Sequence, residues 1–249
     1  FLMIYGAMVM QSVIEEKSSR VLEVVVSSVR PFELMMGKIF GVAPVAVVQV
    51  LIWAVLVCGA GAAVMPHVLP DGAMEAAAAL QQGGGAATAA AGDFDPETLG
   101  AIALATDVGY LAMLFGYLLL FVVGGYLLYS AMFAAVGSAV DNAQDAAQLQ
   151  TPIMIPIILA VIVEMSVLND PNSPLAFWFS LIPFTSPVVM MARIPYGIPT
   201  WEIVLSLVLL YAAFVGMVWL SAKIYRVGIF MYGKKPTLRE MFRWIRYKY

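Results

Sequence analysis

The sequence predicts an all-α, polytopic membrane protein, and three observations carry that expectation. Of its 249 residues, 62% are hydrophobic and 12% charged, with a mean hydropathy of +0.91. Soluble domains run nearer half apolar and about a quarter charged, and a soluble core this rich would leave too little polar surface to cover it. The apolar residues also fall in blocks of bilayer-spanning length, about 17–25 residues each. Finally, basic residues gather in two short regions, with an acidic region between them.

Five segments follow in order. Residues 1–13 are too short to cross a bilayer, lack an initiating methionine, and read as the inner end of a helix cut from a longer chain. The second span covers 39–64, the third 108–136, the fourth a short 152–168 and the fifth 203–224. Between the last two, residues 175–191 (LAFWFSLIPFTSPVVMM) are apolar but broken by Pro183 and Pro187. Two short helices dipping into one leaflet suit that pattern better than a crossing, provided protein or a water-filled cavity covers the irregular backbone. The outer stretch 71–92 is low in complexity. Its alanine run favours a helical turn or two, which Gly83, Gly84 and Gly85 should break.

Charge sets the direction. Lys17, Arg20, Arg30 and Lys38 lie in the first polar connector, and eight more bases lie from Lys223 to the end. Residues 66–106 hold no Lys or Arg but contain Asp71, Glu75, Asp93, Asp95 and Glu97. The positive-inside rule therefore puts the connector 15–38 and the tail 223–249 in the cytoplasm and the loop 66–106 outside. Both basic regions share a side only if an even number of crossings separates them, which requires 175–191 not to cross. The stretch 137–150, with Asp141 and Asp145 but no base, is then an inner loop. With 15–38 inside, the upstream chain is expected to approach from outside, through an earlier helix and an external domain.

The connector 15–38 (EEKSSRVLEVVVSSVRPFELMMGK) carries four acids and four bases in 24 residues. Glu16, Arg20 and Glu23 share one helical face, whereas Val21, Val24 and Val25 lie on another. Ser27 and Ser28 interrupt the pattern, and Arg30-Pro31 opens a second short helix, since proline suits a first turn. Glu33 and Lys38 are out of register for an i,i+4 pair. Such an element serves either to transmit force from a cytoplasmic partner or to anchor the fold at the interface.

Other polar positions are sparse. Glu164 sits in the apolar run IMIPIILAVIVEMSVL, where an acid is costly and tends to face a cavity or partner, or else lies near the outer interface. Arg193 is the one base expected outside, placed to pair with Glu164 or with Glu202 at the start of the last span. Gln49, Asn142, Gln144, Gln148 and Gln150 are either vestibule-lining groups or ordinary hydrogen-bonding residues. Gly124, Gly125 and Gly137 permit close helix approach, and Pro152 and Pro156 relax the start of the fourth span. Cys58, the sole cysteine, reads as a small packing residue and excludes an intramolecular disulfide or cysteine-based zinc site. The sole histidine, His67, leaves a metal centre without a second imidazole. In the tail, Thr237 with Glu240 resembles a capping box, while Arg239, Arg243 and Arg246 suit anionic lipid and Phe242 and Ile245 the bilayer. Beneath a membrane span this argues for lipid or a partner subunit rather than nucleic acid. There is no glycine-rich phosphate loop with lysine and no HExxH motif, so neither ATP hydrolysis nor metalloprotease chemistry is expected of this chain.

The stretch MIYGAMVMQSVIEEKSSRVLEVVVSSVRPFELMMGKIFGV resembles the first cytoplasmic loop of exporter-type ABC transporter permeases, in the sodium-export (NatB-like) branch of the type-2 family. The run FWFSLIPFTSPVVMMARIPYGIPTWE and the tail KIYRVGIFMYGKKP are similar to the same branch. The likeness covers the chain except its alanine-glycine outer loop. It implies a partial permease domain over 1–249 that lacks the first span and external domain, in a multi-pass protein of the bacterial cytoplasmic membrane. Two membrane subunits, as a homodimer or pseudo-symmetric heterodimer, would work with cytoplasmic ATPase subunits that hold ATP and Mg. By the resemblance the coupling helix lies in 15–38, with Glu16, Arg20, Glu23, Arg30, Pro31, Glu33 and Lys38 as coupling residues. The outer re-entrant helical pair would be 175–191, with Pro183 and Pro187 at an outer gate, and Glu164 and Gln49 on the substrate path. The expected function is export of sodium, a drug, a peptide or a lipid, driven by ATP hydrolysis in the separate subunit. The alternatives are an ATP-independent channel or secondary transporter, and a non-transporting assembly subunit.

Overall fold

The computed structural model describes residues 1–19, 29–69, 72–81, 95–229, 231, 240 and 241. The elements among them are helices: α1 (Leu2–Ser18), α2 (Pro31–Val68), α3 (Ala73–Gln81), α4 (Pro96–Thr106), α5 (Val108–Ala139), α6 (Ala143–Val167), α7 (Pro174–Leu181), α8 (Ser186–Arg193) and α9 (Thr200–Gly228), with a 3-10 turn at Ile194–Tyr196. Helices α2, α5, α6 and α9 are each long and apolar enough to cross a membrane. Among the described residues the protein is thus an all-α polytopic membrane protein with four membrane-spanning helices. The expectations for Arg20, Glu23, Ser27 and Ser28, for Gly83, Gly84 and Gly85, and for the capping box and basic face of the tail fall outside the described residues.

Local chemistry fixes several helix starts, and two of them correct the sequence-based boundaries. At α2 the Arg30 amide donates to Glu33 Oε2 at 3.4 Å, and Pro31 opens the helix. No break follows. The expected short second helix and the span 39–64 are one element of 38 residues, about 57 Å long at ~1.5 Å per residue and longer than the ~30 Å apolar core of a bilayer. Ahead of α6, Asn142 Oδ1 accepts from the Asp145 amide at 2.8 Å, while Asn142 Nδ2 donates to Asp145 Oδ2 at 2.9 Å. This cap starts the helix at Ala143, so the expected inner loop 137–150 contracts to Val140, Asp141 and Asn142. Pro152 and Pro156 consequently lie inside α6 rather than at its start. Asp107 closes α4 and caps α5, accepting from the Gly109 amide at 2.7 Å. Helix α4 itself, in what reads as external loop, was not expected from the sequence.

The chain forms two compact units, Phe1–Val47 with Leu120–Tyr249, and Val48–Leu119. In the first, α5 is the central helix: Gly124–Ala139 is buried apart from one residue, Met132. Helix α1 presents Leu2, Tyr5, Val9, Met10 and Val13 to it at helical spacing. Small residues bring the backbones together. A Cβ on Gly137 would stand 2.7 Å from the Met10 carbonyl oxygen, one on Gly228 2.9 Å from that of Ser138, and one on Gly125 2.8 Å from Pro187 Cγ. The ends of α1, α5 and α9 meet at one end of this unit. Helix α6 leaves that end and α9 returns to it, with α7 and α8 packed together as a hairpin between them.

In the second unit α3 and α4 pack through Ala73, Ala77 and Ile102, and Gln81 Nε2 donates to Thr106 Oγ1 at 3.1 Å. Cys58 corrects its reading as a packing residue, because it is exposed on α2 among exposed Val55, Leu56 and Val57.

The glycine contacts make opposite predictions for one substitution. Gly137→Ala must displace backbone and should destabilise the protein by about 1–3 kcal/mol. Gly216→Ala, with open space around its Cβ, should be neutral or stabilising by up to about 1 kcal/mol, since alanine is the better helix former. Thermal unfolding in mild detergent checks both.

Candidate functional site

The described base of the connector is held by two lysines. Lys17 lies on the buried stripe of α1, one turn beyond Val13, and is 0% exposed. Its Nζ reaches Asp141 Oδ1 at 3.0 Å and donates to the carbonyl oxygens of Ser138 at 2.8 Å and Gly228 at 2.9 Å. Those carbonyls belong to the last turns of α5 and α9, where helical carbonyls lack intrahelical partners and the dipole favours a cation. Burial pulls the Lys17 ammonium below its ordinary value, while the hydrogen bond and charge of Asp141 pull it back up.

Lys38 closes the base from the other side. Its Nζ pairs with Glu16 Oε1 at 2.7 Å and donates to Ser12 Oγ at 2.7 Å and Ser12 O at 3.1 Å. Glu16 and Lys38, both expected coupling residues, are therefore joined across α1 and α2. Arg30 and Glu33 are exposed at the start of α2 and Pro31 half-buried there. Glu33 has a local duty as a cap, through its contact with the Arg30 amide. Arg20 and Glu23 lie outside the described residues. Lys17, Ser138, Asp141 and Gly228 were missed as a group. The signal available was Lys17 continuing the apolar i,i+4 stripe of α1, where a solvated charge would not be placed.

At the opposite end a second buried cation organises the α7–α8 hairpin. Arg193 is 1% exposed, and its Nη1 pairs with Glu202 Oε2 at 2.8 Å and donates to Ser180 Oγ at 2.7 Å. Its Nε donates to the Pro171 carbonyl at 2.8 Å. The choice of partner is thus Glu202 and not Glu164. Ser206 Oγ donates to Ser180 O at 2.7 Å, and Tyr129 OH to Phe184 O at 2.7 Å, so α9 and α5 also hold the hairpin. Pro183 lies half-buried in its turn, and Pro187 is buried in the first turn of α8 against Gly125.

The two expected path residues fall in different units. Glu164 is half-buried on α6, beside Val163 and Val167 of a small apolar cluster. Gln49 is half-buried on α2. Among the described residues no group of three or more His, Cys, Asp or Glu side chains is placed to hold a metal ion, and His67 is exposed.

Residues 1–223 match the family described as "ABC-2 family transporter protein". The chain is similar to the uncharacterized protein YhaP of Bacillus subtilis (strain 168), 26% identical over 238 residues that make up 95% of this chain and 50% of the relative. It is also similar to the uncharacterized protein MJ1024 of Methanocaldococcus jannaschii, 27% identical over 240 residues, 96% of this chain and 49% of the relative. The chain therefore spans about half the length of these two curated relatives. No solved structure matches it.

Breaking the buried Arg193–Glu202 pair by Arg193→Met should cost about 3–5 kcal/mol, because it strands a carboxylate among apolar surroundings. Adding Glu202→Met should recover part of that loss. A double-mutant cycle on unfolding in detergent gives both values.

Proposed function

Because the chain belongs to the ABC-2 transporter family, a membrane transporter family rather than an enzyme family, we propose that it is the permease part of an ATP-driven exporter. Hydrolysis would occur in a separate cytoplasmic ATP-binding subunit that binds ATP and Mg, and the connector 15–38 would receive its motion. The observation that carries this reading is the family match over 1–223, joined to a charged connector whose described base is tied to the bundle. The mixed signs of Glu16, Arg20, Glu23, Arg30, Glu33 and Lys38 suit a soluble partner with a complementary charge pattern. Pro31 sets where α2 begins beneath that surface.

The proposed cycle runs from the connector outward. ATP bound by the partner favours one arrangement of the connector, and only such a difference in affinity between states moves the bundle. The α7–α8 hairpin acts as the outer re-entrant gate, with Pro183 and Pro187 shaping its turn, and a second permease copy completes the path. Glu164 supports a cation such as sodium as cargo, in keeping with the sodium-export branch, and Gln49 is a further polar position for the path. In this reading the connector and tail face the cytoplasm, as the excess of Lys and Arg favours.

The full-length protein, affinity-purified from mild detergent or nanodiscs, should retain a stoichiometric ATP-binding subunit. Glu23→Lys together with Arg30→Glu should weaken that association by at least about tenfold, roughly 1.4 kcal/mol, with membrane insertion unchanged. Failure to retain any ATP-binding subunit across gentle conditions would overturn the exporter reading. Undiminished association in the double variant would remove the coupling assignment alone.

A further inference from the structure

Lys17 is not needed to fill space. An apolar side chain of similar length would pack at the same place without the cost of desolvating an ammonium, which amounts to several kcal/mol per ion. What the ammonium adds is a directional tie from one atom to three separate pieces of chain: Asp141, the end of α5 through Ser138, and the end of α9 through Gly228. The surroundings leave little slack. Gly137 lies against the Met10 backbone, and Gly228 against Ser138. Helix α1 therefore cannot slide along α5 by small increments, and its inner end either moves with the ends of α5 and α9 or leaves its seat.

The neighbouring contacts show where force would arrive. Glu16, adjacent to Lys17, is joined to Lys38 of α2, and the connector continues from Ser18. A displacement of the connector is thus delivered at once to α2 through Glu16 and to the ammonium at residue 17.

We propose that Lys17 is the coupling latch of the permease, a positioning residue whose ammonium, seated between Asp141 and the end carbonyls of α5 and α9, converts motion of the connector into motion of those two helices. The proposal rests on the exporter reading above and adds to it the residue that carries force from the partner-binding surface into the bundle. The seated and released arrangements are discrete because close-packed helix ends do not deform continuously. ATP in the partner subunit selects between them.

The test uses the full-length protein in nanodiscs with the ATP-binding subunit that co-purifies with it. Spin labels are placed at exposed Ile162 on α6 and exposed Val215 on α9, in a cysteine-free background that includes Cys58→Ser. Adding Mg·ATP to the wild type should shift the distance distribution between the labels. Lys17→Met should keep the subunit bound and hydrolysing ATP, while the ATP-dependent shift falls by about tenfold, the scale of a typical coupling between sites. A residue serving only as an anchor would lower the melting temperature and leave the shift intact in the molecules that remain folded, and that result overturns the latch. If Lys17→Met is not monodisperse, Asp141→Asn is read in the same assay against the same two outcomes. A wild type that retains no ATP-binding subunit overturns the exporter reading and the latch with it. A wild type that responds while the variant responds equally overturns the latch alone.

Discussion

An ammonium buried at the end of a helix bundle must be surrounded by oxygen, and that requirement organises one end of this protein. Lys17 draws the carbonyls of Ser138 and Gly228 and the carboxylate of Asp141 to within 3.0 Å. Those three oxygens can converge only if α5 and α9 end at the same level and the α5–α6 connection is short. The glycines at 137 and 228 make the approach geometrically allowed. The Asn142–Asp145 cap then turns the chain at once into α6, which keeps Asp141 beside the lysine. Sequence, local structure and packing here serve one electrostatic demand.

The other end repeats the device with a different cation. Arg193 has a planar fork of donors and spreads them over Glu202, Ser180 and the Pro171 carbonyl, a geometry that a lysine could not reproduce. It fixes a hairpin whose own helices are only eight residues each, too short to be stable without tertiary support. Each end of the first unit therefore has a buried cation that bonds backbone carbonyls, of Ser138 and Gly228 at one end and of Pro171 at the other. One ties the ends of α1, α5 and α9 and the other the hairpin end. A mechanism that moves the bundle as a whole has to work through these ties.

Much of the fold was legible in the sequence because membrane spans announce themselves by composition and length. The four spanning helices among the described residues followed from apolar block length. Boundaries were less legible. The fourth span reads as starting at Pro152, because prolines look like breakers, yet the Asn142 cap lies upstream and α6 runs through both prolines. The second span reads as starting after Lys38 because charged residues look like loop, yet Lys38 is neutralised by Glu16 and the helix begins at Pro31. Of the site, Glu16 and Lys38 were named as separate coupling positions. Their pairing was not foreseen, since sequence spacing says nothing of contacts between different helices. Lys17 was passed over for the same reason: its partners lie 121 and 211 residues away.

The account depends most on the ammonium of Lys17 being energetically joined to Asp141 rather than merely near it. A double-mutant cycle of Lys17→Met and Asp141→Asn, read as unfolding free energy of the full-length protein in mild detergent, measures that directly. A coupling energy of about 1–3 kcal/mol, in the range for groups sharing one buried network, is the result the account predicts. Additive effects, with no coupling beyond experimental error, would mean that the end of α1 is held by apolar packing alone and would contradict it.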